Sequence, residues 1–395
     1  MSSANVAPTL NPPIRTLMGP GPSDIHPRVL QAMAKNTVGH LDPYFLQLMD
    51  GLQQMLRQLM RTENRMTMAL SATGSAGMEA TVVNLIEPGD SIVIGVNGVF
   101  GGRMTDVAER AGAKVTKVEK PWGEVFTAED FQEAIETAKP KVVGIVMAET
   151  STGASQPIEE ISKLAHDNGA LVLVDAVTSL GGMPVEVDKW QIDALYSGSQ
   201  KCLSCPPGLA PVSFSEKALE VILNRKTKVQ SWYLDVSMLA NYWGSDRVYH
   251  HTAPINMIYG LYEAVRVVLE EGLENCFARH QNNHLALKAG LQALGIQYTA
   301  QEGHQLAMLN AVRIPEGVDD ATIRSGLLNR FGIEIGGGLG AFKGKVWRIG
   351  LMGYAARNAN VLLLLCALEQ LLAEQGYDFE AGASTAAANA VYATQ

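Results

Sequence analysis

Two uninterrupted apolar runs, Val142-Val143-Gly144-Ile145-Val146 and Leu171-Val172-Leu173-Val174, stand on either side of a helical pattern over residues 157–168. A strand with one face in water alternates apolar and polar residues, whereas a strand apolar at every position is covered on both faces. Such strands, joined through helices, form a mostly parallel sheet with helices on both sides. The pattern extends along the chain. Apolar residues at Phe45, Leu48, Met49, Leu52, Met55, Leu56 and Leu59 give a helical period. Strands are expected at 66–70, 91–96, 114–118, 142–147, 171–174 and 193–196. Helices are expected at 75–85, 102–111, from Thr127 as cap to 138, and at 157–168. In such a sheet, ligands bind beyond the carboxyl ends of the strands.

After about residue 260 the texture changes. A long helix is expected from Met257 to Glu270, continuing past a break at Gly272 towards Leu294. Strand-like stretches at 307–314, 333–335 and 345–349 and a helix over 358–373 suit a smaller α+β unit. The chain therefore divides into an extended arm (1–18), a large α/β domain (19–265), a small α+β domain (266–380) and an Ala-rich tail (381–395). Val361–Leu368 is the longest apolar run; too short to span a bilayer, which takes about 20 residues, it reads as a buried helix segment.

The net charge of −9 argues against a nucleic-acid or anionic-membrane partner, and no basic block offsets it. The N-terminus lacks the basic and apolar regions of a secretory signal. Of the four cysteines, Cys202 and Cys205 form a C-x-x-C spacing, but no second pair or nearby histidine completes a zinc set. Reduced thiols in a cytoplasmic protein fit best. His250 and His251 would point to opposite faces of a strand, so no metal is expected there. Trp232 and Trp243 read as packing residues, and Met55, Met60, Met66 and Met68 as core filler.

Three stretches carry chemistry. In Ser71-Ala72-Thr73-Gly74-Ser75-Ala76-Gly77 a strand runs through small residues into a helix, the outline of an anion cradle or simply of a tight turn. Asp175 ends the most apolar strand, where a buried carboxylate needs a cationic or N–H partner. Lys201 follows small polar residues just after another apolar strand; a lysine held in a cleft has a lowered pKa and forms Schiff bases. Cradle, carboxylate and lysine, in that order, are the parts pyridoxal 5′-phosphate needs for its phosphate, its ring nitrogen and its aldehyde.

GPGPS (19–23), the cradle, NGVFG (97–101), ETSTG (149–153), VDAVTSLGG (174–182), SGSQK (197–201), YHHT (249–252) and GKVWRIGLMG (344–353) resemble the class V aminotransferases of fold type I. Within that class the chain is most similar to the alanine–glyoxylate and serine–glyoxylate group, from about residue 14 to about residue 373. The resemblance implies that Lys201 carries the cofactor and that Asp175 pairs with its ring N–H. It implies phosphate contacts from Thr73, Gly74, Ser75 and Gln200, and a contact from Thr150 to the phenolic oxygen. Phe100 falls where alanine–glyoxylate enzymes stack a Trp; it can stack but lacks the indole N–H. Tyr249 and Thr252 are expected to reach the phosphate of a neighbouring subunit, which implies a homodimer with shared active sites. Arg348 is expected to clamp the substrate carboxylate, with Gly21 and His40 also facing the substrate.

The activity so implied is amino transfer from L-alanine or L-serine to glyoxylate, giving pyruvate or hydroxypyruvate and glycine. Gly39-His40-Leu41-Asp42-Pro43 resembles bacterial alanine–glyoxylate members. Residues 121–126, 200–204 and the tail 380–392 are also similar to the ureidoglycine–glyoxylate branch, which carries amides where this chain has His40 and Tyr249. A cysteine desulfurase would need a nucleophilic cysteine on a mobile loop of the later domain. Gly336-Gly337-Gly338-Leu339-Gly340 has none, and Cys366 falls within an apolar helical run.

Overall fold

The computed structural model describes residues 7–394; the first six residues of the expected arm and Gln395 of the tail lie outside them. The central sheet has seven strands: β1 (Met66–Leu70), β2 (Ser91–Val96), β3 (Lys114–Glu119), β4 (Val142–Val146), β5 (Leu171–Asp175), β6 (Ala194–Tyr196) and β7 (Ala210–Phe214). Their spatial order is β1-β7-β6-β5-β4-β2-β3. The pairs β6–β5, β5–β4, β4–β2 and β2–β3 are parallel, and β7 runs antiparallel to both of its neighbours. The apolar runs are buried at every position in β4 and β5, whereas β3, at the edge, is lysine-bearing and partly exposed.

Helix α1 (Pro43–Met60) starts on Asp42, whose side chain accepts the Tyr44 N–H, and its apolar stripe of Phe45, Met49, Leu52 and Leu56 is buried. Helices α2 (Gly74–Leu85), α3 (Val99–Arg110), α4 (Ala128–Ala138) and α5 (Glu159–Asp167) alternate with the strands. Thr127 and Asp130 close a capping box at the start of α4. Helix α3 begins three residues before the sequence predicts, because the turn at Asn97–Gly98 admits it directly.

Gly272 separates α6 (Ile255–Glu271) from α7 (Leu273–Ala293), where the break is expected. Strands β8 (Leu309–Arg313), β9 (Gly336–Gly337) and β10 (Val346–Gly350) form a second sheet in the order β8-β10-β9. It packs with α7, α8 (Asn358–Glu374) and α9 (Ala383–Tyr392) around Trp347, Leu287, Leu364 and Leu368. The run Val361–Leu368 is buried on one face only: Leu363 is 43% exposed and Cys366 is exposed as well, because a helix turns these two away from the core. Among the described residues no helix is long and apolar enough to cross a membrane.

One joint ties the halves together. Residues 16–23 bridge the sheets. The Met18 amide donates to the Glu334 carbonyl (2.9 Å) and the Met18 carbonyl accepts from Gly350 (2.7 Å). Ser23 donates through its amide to the Gln200 carbonyl (2.9 Å) and through its hydroxyl to the Lys201 carbonyl (2.6 Å). Within the second half, fully buried His280 donates from Nδ1 to the Cys276 carbonyl (2.7 Å) and accepts at Nε2 from the Gly353 N–H (2.9 Å). These partners hold the ring neutral, and burial lowers its pKa to about 4.

Candidate active site

Beyond the carboxyl end of β5, Gly74, Ser75, Phe100, Thr150, Asp175, Gln200 and Lys201 line one cavity of about 200 Å³. Seven expected site residues, from five separate stretches of sequence, thus meet in one place. Thr73 is the N-cap of α2, and no side chain caps that helix, so the hydroxyl and first-turn amides stay available to an anion.

Lys201 is 8% exposed, and its Nζ donates to the Pro20 carbonyl. Burial lowers its pKa to about 8, with Cys202 and Asp175 opposing the fall and Arg348 and Arg103 adding to it. Gly21 is pressed against the lysine side chain. It has φ +109°, and a Cβ there would lie 2.7 Å from Lys201 Nζ, so any other residue strains the backbone and must push the lysine aside.

Asp175 and Tyr196 are register partners on the parallel strands β5 and β6. The Tyr196 hydroxyl donates to Asp175 Oδ2 (2.7 Å), and the Val177 amide donates to Oδ1 (2.8 Å). Burial pushes the carboxyl up from its ordinary range, and these two donors oppose it.

Phe100 lies in the first turn of α3, whose N-terminus is held from outside. Fully buried Glu149 accepts the amides of Phe100 (3.0 Å) and Gly101 (3.4 Å) on Oε2, and the amide (3.0 Å) and hydroxyl (2.6 Å) of Ser151 on Oε1. The Ser151 hydroxyl in turn accepts the Val99 amide (2.9 Å). A Cβ at Gly98 would come within 2.4 Å of the Glu149 side chain, so the carboxylate's approach depends on that glycine. Arg103, one turn along α3, lies 4.8 Å from the Phe100 ring centre and reaches the Ser75 hydroxyl (3.4 Å). Sequence reasoning missed Glu149, Arg103 and Tyr196 as contributors. The only available signals were a charged residue ending one apolar run and a phenol ending another, both within stretches already singled out.

Arg348, on β10, is 7% exposed and donates from Nε to the Gly337 carbonyl (2.7 Å); its Nη1 lies 3.4 Å from the Thr150 carbonyl, at the cavity wall. Burial lowers its pKa, and Glu149 opposes that.

Tyr249, Thr252 and His40 do not line this cavity. Tyr249 is 56% exposed, its hydroxyl is 3.4 Å from that of Thr252, and its ring centre is 5.1 Å from that of His40. Two expectations are corrected here. Residues 249–252 are not a strand, so the His250 and His251 rings do not diverge: their Nδ1 atoms are 2.8 Å apart. Trp232 is not a core residue; it is 58% exposed and stacks on His250 with ring centres 4.3 Å apart, while Trp243 is buried. Among the described residues no group of three or more His, Cys, Asp or Glu side chains has a metal-holding arrangement. Cys202 and Cys205 are both buried, and burial pushes both thiols up to about 12. That makes them poor nucleophiles.

These groups fit pyridoxal 5′-phosphate. The uncapped start of α2 faces the cavity; of the Gln200 amide, which also lines it, Nε2 is the donor a phosphate would use, Oε1 being an acceptor. A Cβ at Gly198 would lie 2.7 Å from that oxygen. Hydroxyls and amides for a phosphate, a buried carboxylate for a ring nitrogen and a largely desolvated amine for an aldehyde share the one cavity.

A family model described as aminotransferase class-V matches residues 17–358. The alanine–glyoxylate aminotransferase of Felis catus is 41% identical over 367 residues, 92% of this chain and 89% of that protein. The crystal structure of an alanine–glyoxylate aminotransferase from Nostoc sp. is 51% identical and superposes with a TM-score of 0.92, covering 93% of this chain and 97% of its own. The structure of a ureidoglycine–glyoxylate aminotransferase from Bacillus subtilis is 43% identical with a TM-score of 0.96, covering 98% and 100%.

Proposed function

The chain belongs to the class-V aminotransferases, enzymes that depend on pyridoxal 5′-phosphate, and from that membership we propose that it moves the amino group of L-alanine, or of L-serine, to glyoxylate. The products are pyruvate or hydroxypyruvate, and glycine. One observation carries this reading: Lys201 and Asp175 share one cavity whose wall at Thr150 is touched by the buried Arg348.

The cofactor, when bound, supplies an aldehyde that takes up the amino group and a ring that accepts the electron pair released at the α-carbon. Lys201 holds the cofactor between turnovers. Its Nζ, whose pKa burial lowers to about 8 in the chain itself, would take the α-proton and return it. Asp175 keeps the ring nitrogen protonated. Arg348 would grip the carboxylate of donor and acceptor in turn. The α2 amides with Thr73, Ser75 and Gln200 would hold the phosphate, Phe100 would stack on the ring, and Thr150 would serve its phenolic oxygen.

The working unit is a cytoplasmic homodimer in which Tyr249 and Thr252 serve the partner's phosphate. Support comes from the exposed Leu41, Tyr44, Trp232, Tyr233, Val248 and Tyr249 flanking these groups, and from four cysteines that are all free.

A second reading, with ureidoglycine as donor, draws on the fuller overlap with the Bacillus subtilis structure, 98% of this chain against 93% for the Nostoc one. A single-turnover spectrum decides. Mixing the loaded protein with L-alanine, without acceptor, is expected to abolish the yellow absorbance, and glyoxylate to restore it. Bleaching by ureidoglycine alone would transfer the assignment to the second reading.

A further inference from the structure

Asp175 has two protein hydrogen-bond donors, and one of them has an acidic proton of its own. Tyr196 is wholly buried, in a strand otherwise made of Ala194 and Leu195. A buried phenol needs a partner, and this one has Asp175 Oδ2 at 2.7 Å. Burial and the neighbouring carboxylate push the Tyr196 pKa well above 10, so the hydroxyl is a donor at every working pH. The other charges acting on Asp175 are the Lys201 ammonium and Arg103, which favour its ionised form, and Glu149, which opposes it. Glu149 is the better served of the two carboxylates, with donors from Phe100, Gly101 and both groups of Ser151. Asp175 has only the Val177 amide and the Tyr196 hydroxyl.

We propose that Tyr196 is a positioning residue for the reaction, which by donating to Asp175 keeps the shared proton on the cofactor's ring nitrogen rather than on the carboxylate. This rests on the cofactor assignment made above. A carboxylate and a pyridine nitrogen facing each other hold one proton between them, and its location follows their relative basicity. A donor on the far oxygen makes the carboxylate less basic and leaves the proton on nitrogen. With Tyr196 removed, the lone Val177 amide remains, the carboxylate becomes more basic, and the proton moves towards oxygen. Losing one hydrogen bond to a buried charge shifts such a balance roughly 10- to 100-fold. A ring that is not protonated is a poorer electron acceptor, so the effect appears in kcat rather than in substrate binding.

The test is the nitrogen chemical shift of pyridoxal 5′-phosphate labelled with ¹⁵N in the ring and loaded into wild type and Tyr196→Phe. Wild type is expected at the protonated value and Tyr196→Phe displaced towards the unprotonated one, with kcat lowered and KM little changed. Replacing Tyr196 by 3-fluorotyrosine, a stronger donor of nearly the same shape, is expected to hold the shift at or beyond the wild-type value. It also carries the test if Tyr196→Phe fails to fold. A loaded Tyr196→Phe with the wild-type shift would overturn this proposal and leave the function standing. Failure of the wild-type chain to take up cofactor would overturn both.

Discussion

A methyl group on Gly21 would lie 2.7 Å from Nζ of Lys201 and 2.9 Å from its two preceding carbons. The lysine therefore has its position set by a residue with no side chain. Gly21→Ala introduces that clash and places alanine at φ +109°, at about 1–2 kcal/mol of local strain. The variant is expected to fold and bind cofactor, with kcat reduced about 10²-fold through misplacement of the amine. Steady-state kinetics beside a thermal melt check this; a normal kcat would show that the lysine has room to move aside.

Arg348→Lys keeps the charge and discards the planar fork. A loss of about 10–100-fold in kcat/KM is expected for donor and acceptor alike, because the proposed mechanism gives one guanidinium to both half-reactions. Single-turnover rates measured against alanine and against glyoxylate separate the two. A loss confined to one substrate would mean that the other carboxylate is held elsewhere.

Glu149→Gln leaves the shape of the side chain and replaces one acceptor oxygen with a donor. Either the Phe100 and Gly101 amides or the Ser151 groups then face an N–H, and the first turn of α3 loosens. The cofactor dissociation constant is expected to rise roughly tenfold, about 1.4 kcal/mol. Fluorescence titration of the unloaded protein measures it, and unchanged affinity would remove Glu149 from any part in placing Phe100.

His280 gives the fold a pH dependence of defined sign. Its pKa is near 6.5 in the unfolded chain and about 4 in the fold. Between those values the unfolded chain binds a proton that the folded chain refuses. Its contribution is complete above pH 6.5 and is lost as pH falls towards 4, by at most about 3 kcal/mol. His280→Gln, which cannot titrate, is expected to narrow its stability gap to wild type as urea unfolding is moved from neutral pH to about pH 4.5. A gap independent of pH would refute the buried neutral ring.

The parallel sheet was legible because β4 and β5 are apolar at every position, and the cavity-lining residues because they occupy turns where strands end. Strand β7 was not legible. It contains Pro211, which a central strand seldom accepts, yet the Pro211 carbonyl takes the Ser197 amide (2.7 Å) and the strand is buried throughout. The hydrogen bonds to Asp175 and to the Phe100 amide were hidden for another reason: strand register and loop packing create them, and neither has a periodic trace in sequence. Tyr249, Thr252 and His40 illustrate the reverse case, in which a motif is readable but a single chain does not bring it to its own cavity.

Strand β1, which leads into the cradle, pairs with β7 alone, Leu70 opposite Ala210, across a long stretch of intervening chain. A nascent polypeptide thus exposes the cradle residues early but secures them only after β7 has been made. Contacts so remote form slowly during folding. A ligand that binds only the finished pocket draws the population towards it by mass action. A cofactor held in that pocket would then act on the folding of this chain as well as on its chemistry.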